Sequence, residues 1–277
     1  MIKQKDLSAI SNRSQENGAR RIPESVIERD YCISWFLFGL SQSPLRELLI
    51  FKGGTALRRC HFADYRFSED LDFTLEQVRP LEEILAELNG IFEWIEEESG
   101  ISFGLGKVED AHQYSYTFYL TYQGPIPNKE NNVKVDVTFK ETLLHPTKDM
   151  SIIKTYDEYN DFLEDATIRV YALEEVIIEK ICALLTPFRN EPRDLYDLYY
   201  LTEDEGIEIG FLVDDIEAKL KYKDRSLDQF KDQFDKKETR LEKLWKSRLE
   251  AQMSSLPEYE AVYRAVKRTL RQAKIID

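Results

Sequence analysis

A glycine pair set between two kinds of hydrophobic periodicity restricts this chain more than any other feature. Leu48-Leu49-Ile50-Phe51 reads as a short buried strand, Lys52-Gly53-Gly54-Thr55 as a turn, and Ala56-Leu57-Arg58-Arg59 as the opening of a helix. Further on, Leu71-Asp72-Phe73-Thr74-Leu75 alternates apolar and polar side chains, as a strand with one buried face does. Strand, turn, helix and second strand commit this part of the chain to a sheet with helices packed against it. The flanking segments agree. Residues 25–40 have helical periodicity, 82–98 form an acidic amphipathic helix, and 114–122 and 133–139 alternate with period two. The order is that of an α+β fold with a mixed or antiparallel sheet.

From about residue 172 the strand signals fade. Helical periodicity runs through 173–185, 192–201 and a long charged segment ending near 274. Two domains are expected, the first over 1–155 with helices at its N-terminal side and a helical one over 156–277. The stretch 148–167 reads as an acidic loop between them.

Composition narrows the chemistry. With 42% hydrophobic residues the chain can bury a core, so its many charges belong on a surface. The three cysteines, Cys32, Cys60 and Cys182, form no Cys-x-x-Cys pair, which excludes a disulfide framework or a zinc ribbon and makes them small buried hydrophobes. With only three histidines, a metal would have to bind to carboxylates. The net charge of −14 argues against a general nucleic-acid coat, although Arg264, Lys267, Arg268, Arg271 and Lys274 offer either a phosphate-contacting strip or a solvated helix face. No apolar run approaches the ~18 residues that span a bilayer, and a secretion-signal pattern is lacking, so a cytoplasmic location is expected.

Three elements could carry chemistry. Gly53 and Gly54 let the backbone approach a ligand and take up φ > 0, while the N–H groups of the following helix attract phosphate. Alone, such a pair more often marks a plain turn. Asp70 and Asp72 then fall on one strand face, where two carboxylates repel unless cations sit between them. Asp136, in Val133-Lys134-Val135-Asp136-Val137-Thr138-Phe139, lies on the polar face of another strand. Beside the first pair it would complete a carboxylate set for two metal ions, Mg²⁺ by the hardness of the ligands, with Asp136 taking the proton of an attacking hydroxyl. Otherwise each aspartate merely faces water. Lys180 falls on the apolar arc of its helix, so it either snorkels to the edge or contacts a nucleotide phosphate. Asp194, just inside a helix opened by Pro192, either complements the helix dipole or orients Lys180 or a ribose.

Together, Phe51-Lys52-Gly53-Gly54-Thr55-Ala56-Leu57, Arg66-Phe67-Ser68-Glu69-Asp70-Leu71-Asp72-Phe73 and Arg193-Asp194-Leu195-Tyr196-Asp197-Leu198 resemble the AbiEii/AbiGii-type nucleotidyltransferase toxins, relatives of the mycobacterial MenT enzymes. The resemblance runs from about residue 27 to 201. It implies a DNA polymerase β-like nucleotidyltransferase domain followed by a helical domain, and a toxin of a type IV toxin–antitoxin or phage-defence pair. It makes Gly54 and Thr55 the phosphate-holding turn, with Lys52, Gly53, Arg66 and Ser68 around the nucleotide. Asp70 and Asp72 become metal ligands, and Lys180 and Asp194 further active-site residues. Asp136 follows from the general nucleotidyltransferase pattern. The expected substrates are an NTP and an RNA acceptor, foremost the tRNA 3′ end, whose modification blocks translation. The implied partner is an AbiEi-like antitoxin, with or without a stable complex. Two alternatives stay open: the same chemistry on a protein hydroxyl or a small molecule such as an aminoglycoside, and a non-catalytic nucleotide-binding module.

Overall fold

The alternating segments meet in one sheet. The computed structural model describes residues 1–16, 20–110 and 112–276. In chain order it forms α1 (Gln4–Glu16), α2 (Glu24–Ser41), β1 (Leu49–Lys52), the single turn α3 (Gly53–Ala56), β2 (Leu71–Leu75), α4 (Leu81–Ser99), β3 (Ser102–Val108), β4 (Ser115–Gln123), β5 (Glu130–Thr138), β6 (Lys148–Ser151) and β7 (Thr167–Val170). The strands lie in the order β3-β4-β5-β2-β1-β7-β6. Pairing is parallel at β2/β5 and β1/β7 and antiparallel elsewhere, which makes the sheet mixed. The fold class expected from the alternation is therefore observed.

The alternation that revealed β2 and β5 also buries them. Leu71, Phe73 and Leu75 of β2, and Val133, Val135 and Val137 of β5, are buried, while Asp72 and Asp136 project from the opposite face. Against this core lies α2, in which Tyr31, Trp35, Phe36 and Phe38 are almost fully buried. Burying such rings contributes roughly 1.5–3 kcal/mol each. From Ile27 to Leu40 every residue of the helix except Arg29 is buried, as befits an element covered on several sides. Cys32, Cys60 and Cys182 are buried as expected, and burial pushes the Cys60 thiol up to about 12.

Beyond α3 the chain continues as a wider helical turn, Leu57–His61. Its Arg58 and Arg59 are buried and share the buried Asp30 of α2, with Arg58 Nε at 2.7 Å and Arg59 Nη2 at 3.3 Å from the carboxylate. Buried charges persist only when paired and hydrogen-bonded, and Arg59 also donates to Ser34 Oγ at 3.0 Å and Thr155 Oγ1 at 2.6 Å. These bonds fasten the segment after the glycine turn to α2.

The chain divides into one unit comprising Met1–Glu141 and Thr147–Tyr171 and a second comprising Thr142–Pro146 and Ala172–Asp277. The division falls after Tyr171 instead of at residue 155, because the stretch read as a loop begins with β6 and leads into β7, which together extend the sheet. Both strands are four residues long, too short for periodicity to reveal. The second unit is helical: α5 (Leu173–Leu185), α6 (Pro192–Tyr199), α7 (Val213–Tyr222), α8 (Phe230–Leu249) and α9 (Tyr259–Gln272), with α5 and α6 both packed against α8. Residues 142–146 join it because the buried Glu175 carboxylate accepts the N–H groups of Leu144 at 2.8 Å and His145 at 3.0 Å. Lys219, also buried, balances that charge at 2.8 Å. Among the described residues no helix is long and apolar enough to cross a membrane.

Candidate active site

In the first unit the glycine turn and the paired aspartates are packed directly against each other. The strand β1 delivers Lys52 opposite Asp72 of β2, and Gly53 follows with φ +79°, a left-handed conformation that side chains other than glycine rarely adopt. A Cβ on Gly53 would lie 2.5 Å from Asp72 Oδ2, so the absence of a side chain lets the turn seat against the carboxylate. A Cβ on Gly54 would lie 2.6 Å from Nη2 of the buried Arg66 and 3.1 Å from Ser68 Oγ. The Thr55 hydroxyl donates to the Asp70 carbonyl oxygen, tying the turn to the residue just before β2. Lys52 Nζ stands 5.4 Å from the centre of the Tyr171 ring, whose hydroxyl shares a 2.5 Å hydrogen bond with Thr74. Lys52, Gly53, Gly54, Thr55, Arg66, Ser68, Asp70 and Asp72 thus occupy one neighbourhood.

Asp136 is brought there by the parallel pairing of β2 and β5, in which Asp72 stands directly opposite Asp136. Sequence distance hides this register. Asp136 Oδ1 accepts from Thr117 Oγ1 and Oδ2 from Lys134 Nζ, both at 2.6 Å. Burial works against the Lys134 charge, but the hydrogen bond and charge of Asp136, together with the charge of Asp70, outweigh it and raise the ammonium above the ordinary lysine range. The sequence reading missed Lys134, although its place two residues before Asp136 puts it on the same strand face. Among the described residues no three Asp, Glu, His or Cys side chains converge as a ready metal-binding group. The donor set nevertheless fits a hard divalent cation, since it consists of half-buried carboxylate oxygens whose field already draws in an ammonium.

The second unit places the other two candidates in direct contact. Lys180 of α5 lies 3.0 Å from Asp194 Oδ1 and 2.6 Å from Asp197 Oδ2, both on α6, and the two aspartates are almost fully buried. Lys180 therefore does not snorkel. Two buried carboxylates on the facing helix hold it, because an unpaired charge there would carry a large desolvation cost. Burial alone would raise the Asp194 carboxyl, but the Lys180 ammonium and the Arg189 guanidinium, 2.6 Å away, hold it below the ordinary aspartate range. Asp194 thus serves Lys180 and not only the helix dipole. The sequence reading quoted Asp197 without giving it a role. Its position one helical turn after Asp194, on the same face, was the available signal.

The basic strip of α9 is partly neutralised. Lys267 pairs with Asp235 at 3.0 Å, and Arg268 pairs with Glu203, so these two charges are tied into ion pairs on the helix face.

The model of a protein family described as "Nucleotidyl transferase AbiEii toxin, Type IV TA system" matches residues 35–271. This chain belongs to that family. As an AbiEii protein it is a nucleotidyltransferase and a type IV toxin, and the family implies an NTP substrate and an antitoxin partner. The fold is shared with solved structures. MenT4, a nucleotidyltransferase toxin of Mycobacterium tuberculosis, superposes with a TM-score of 0.66 at 20% identity, over 98% of this chain and 90% of its own. JHP933 from Helicobacter pylori gives 0.58 at 16% identity, over 91% and 93% respectively. Among curated proteins none matches. At these identities the likeness concerns the fold, and the AbiEii assignment rests on the family model.

Proposed function

We propose that this AbiEii enzyme transfers a nucleoside monophosphate from an NTP to an RNA, foremost the 3′ acceptor end of tRNA, and so inhibits translation. The observation that carries the chemistry is the seating of the Gly53 turn against Asp72, with Asp136 in register on the next strand. A backbone turn beside paired carboxylates is what in-line transfer to a hydroxyl needs. In this reading Gly53 and Gly54 let the backbone approach the triphosphate, and Lys52 and Arg66 add positive charge. Asp70, Asp72 and Asp136 would hold Mg²⁺. Bound there, the cation would neutralise charge on the transferred phosphate and the leaving pyrophosphate.

The acceptor oxygen bonds to the α-phosphorus as the bond to pyrophosphate breaks, and Asp136 takes the hydroxyl proton. Thr117 and Lys134 fix the orientation of that carboxylate. Lys180 and Asp194 are proposed as further catalytic residues, with Asp197 fixing Lys180. The enzyme acts within the cytoplasm as the toxin of a phage-defence pair, countered by an AbiEi-like antitoxin.

The test is incubation of purified protein with total tRNA, Mg²⁺ and each α-³²P-labelled NTP, with Asp72→Asn as control. Ribonuclease-sensitive label that the control lacks supports the reading. Protease-sensitive label, or label on a small molecule, would instead assign a protein or drug acceptor to the same site.

A further inference from the structure

The loop between α5 and α6 carries a phenylalanine that nothing above uses. Phe188 is 95% exposed. Single exposed apolar side chains are ordinary, so exposure by itself says nothing. What sets Phe188 apart is the backbone beneath it. The Arg189 N–H closes a turn onto the Thr186 carbonyl at 3.1 Å, and Pro187 removes freedom from its centre. Lys237 of α8, only 3% exposed, points its ammonium at two carbonyls of this loop, those of Thr186 at 2.5 Å and Arg189 at 2.8 Å. Arg225 donates to Thr186 Oγ1 at 2.6 Å, and the Asn190 amide donates to the Phe188 carbonyl at 3.2 Å.

Burying a lysine to hold loop carbonyls is costly, and burial lowers the Lys237 pKa to about 8. The expense is intelligible if the loop must keep one shape. The same loop joins Lys180 to Asp194 along the chain, and its Arg189 grips the Asp194 carboxylate with Nε at 2.6 Å and Nη2 at 3.1 Å. A constrained backbone therefore carries a bare aromatic side chain, followed in sequence by the Arg189 whose half-exposed guanidinium holds Asp194.

We propose that Phe188 is a stacking platform for a nucleobase, either that of the incoming NTP or an unpaired base at the 3′ end of the acceptor RNA. The inference rests on the nucleotidyltransfer reading for the kind of ligand and deepens it by naming what recognises the base. An exposed ring on a fixed backbone loses little conformational entropy on stacking, and every base offers a π face to it.

The test is direct binding to the full chain, without turnover, of each of the four NTPs and of a short single-stranded RNA ending in CCA. Phe188→Ala is expected to weaken binding of one ligand class roughly 5- to 150-fold, corresponding to ~1–3 kcal/mol per stacked base. Phe188→Trp should restore it, whereas Phe188→Leu, which returns apolar area without a π face, should not. Phe211→Ala removes another exposed ring of the same unit, 83% exposed, and should leave both affinities unchanged. Loss confined to NTPs assigns the ring to the donor, and loss confined to RNA assigns it to the acceptor. Unchanged affinity for both ligands in Phe188→Ala, full rescue by leucine, or failure of the unaltered chain to bind either ligand would overturn the proposal. If tRNA takes no label in the transfer assay while Phe188→Ala still weakens NTP binding, the acceptor reading falls and the stacking role stands.

Discussion

Asp72, Gly53 and Lys180 each depend on a neighbour, which makes their substitution informative. Asp72→Asn keeps the volume of the side chain and removes its charge, so transfer should fall by at least about 100-fold while stability stays within about 1 kcal/mol. Labelling kinetics and a denaturant titration check the two halves of that expectation. Gly53→Ala faces both the φ of +79° and a Cβ placed 2.5 Å from Asp72 Oδ2. The strain is on the order of 1–2 kcal/mol, and displacement of the carboxylate should reduce transfer more than that loss of stability explains. Lys180 differs in kind. Because it neutralises two buried aspartates, Lys180→Ala should destabilise the chain by about 3–5 kcal/mol, so its effect on nucleotide use cannot be measured apart from folding. Lys180→Arg keeps the charge, and a folded arginine variant with an altered KM for NTP would separate the two roles.

At the scale of elements, the strap 142–146 is held to α5 by one carboxylate. Glu175→Ala would leave Lys219 buried without its ion-pair partner at 2.8 Å and would strip the acceptor from two amides. A loss of about 3–5 kcal/mol is expected. Faster hydrogen exchange at Leu144 and His145 in Glu175→Gln would locate the loosening, and unchanged exchange there would show that the carboxylate's charge is not what holds the strap. The pairing of β2 with β5 works at the same scale. A one-residue slip would turn Asp136 toward the core and Val135 toward Asp72, so the buried valines of β5 fix the position of the third carboxylate.

For the molecule as a whole, buried charges shape the response to pH. Lys237 titrates near 8 in the folded chain, against an ordinary value of 10.5. Between those values the unfolded chain binds the proton that the folded chain has released, so this group makes stability rise with pH across the window. Relative to Lys237→Met, the unaltered chain should gain stability from pH 8 to pH 10, by up to about 1.4 kcal/mol for each unit of pKa difference, as denaturant titrations at each pH would record. Asp194 gives a slope of the same sign in the acid range. Its depressed pKa contributes stability that is present above the ordinary aspartate pKa and is lost as pH falls through the lowered value.

The local order of the chain determined the chemistry-bearing parts: a glycine turn between strand and helix, aspartates on the polar faces of alternating strands, and a helical second half. Short-range patterns suffice there, because side chains two apart on a strand, or three and four apart on a helix, share a face whatever the rest of the molecule does. Only tertiary structure decided that Asp136 stands opposite Asp72, that Thr117 and Lys134 hold it, that Lys180 is clamped by Asp194 and Asp197, and that four-residue strands extend the sheet. Those facts depend on register and on the cost of burying charge, and both are settled between segments far apart in the sequence.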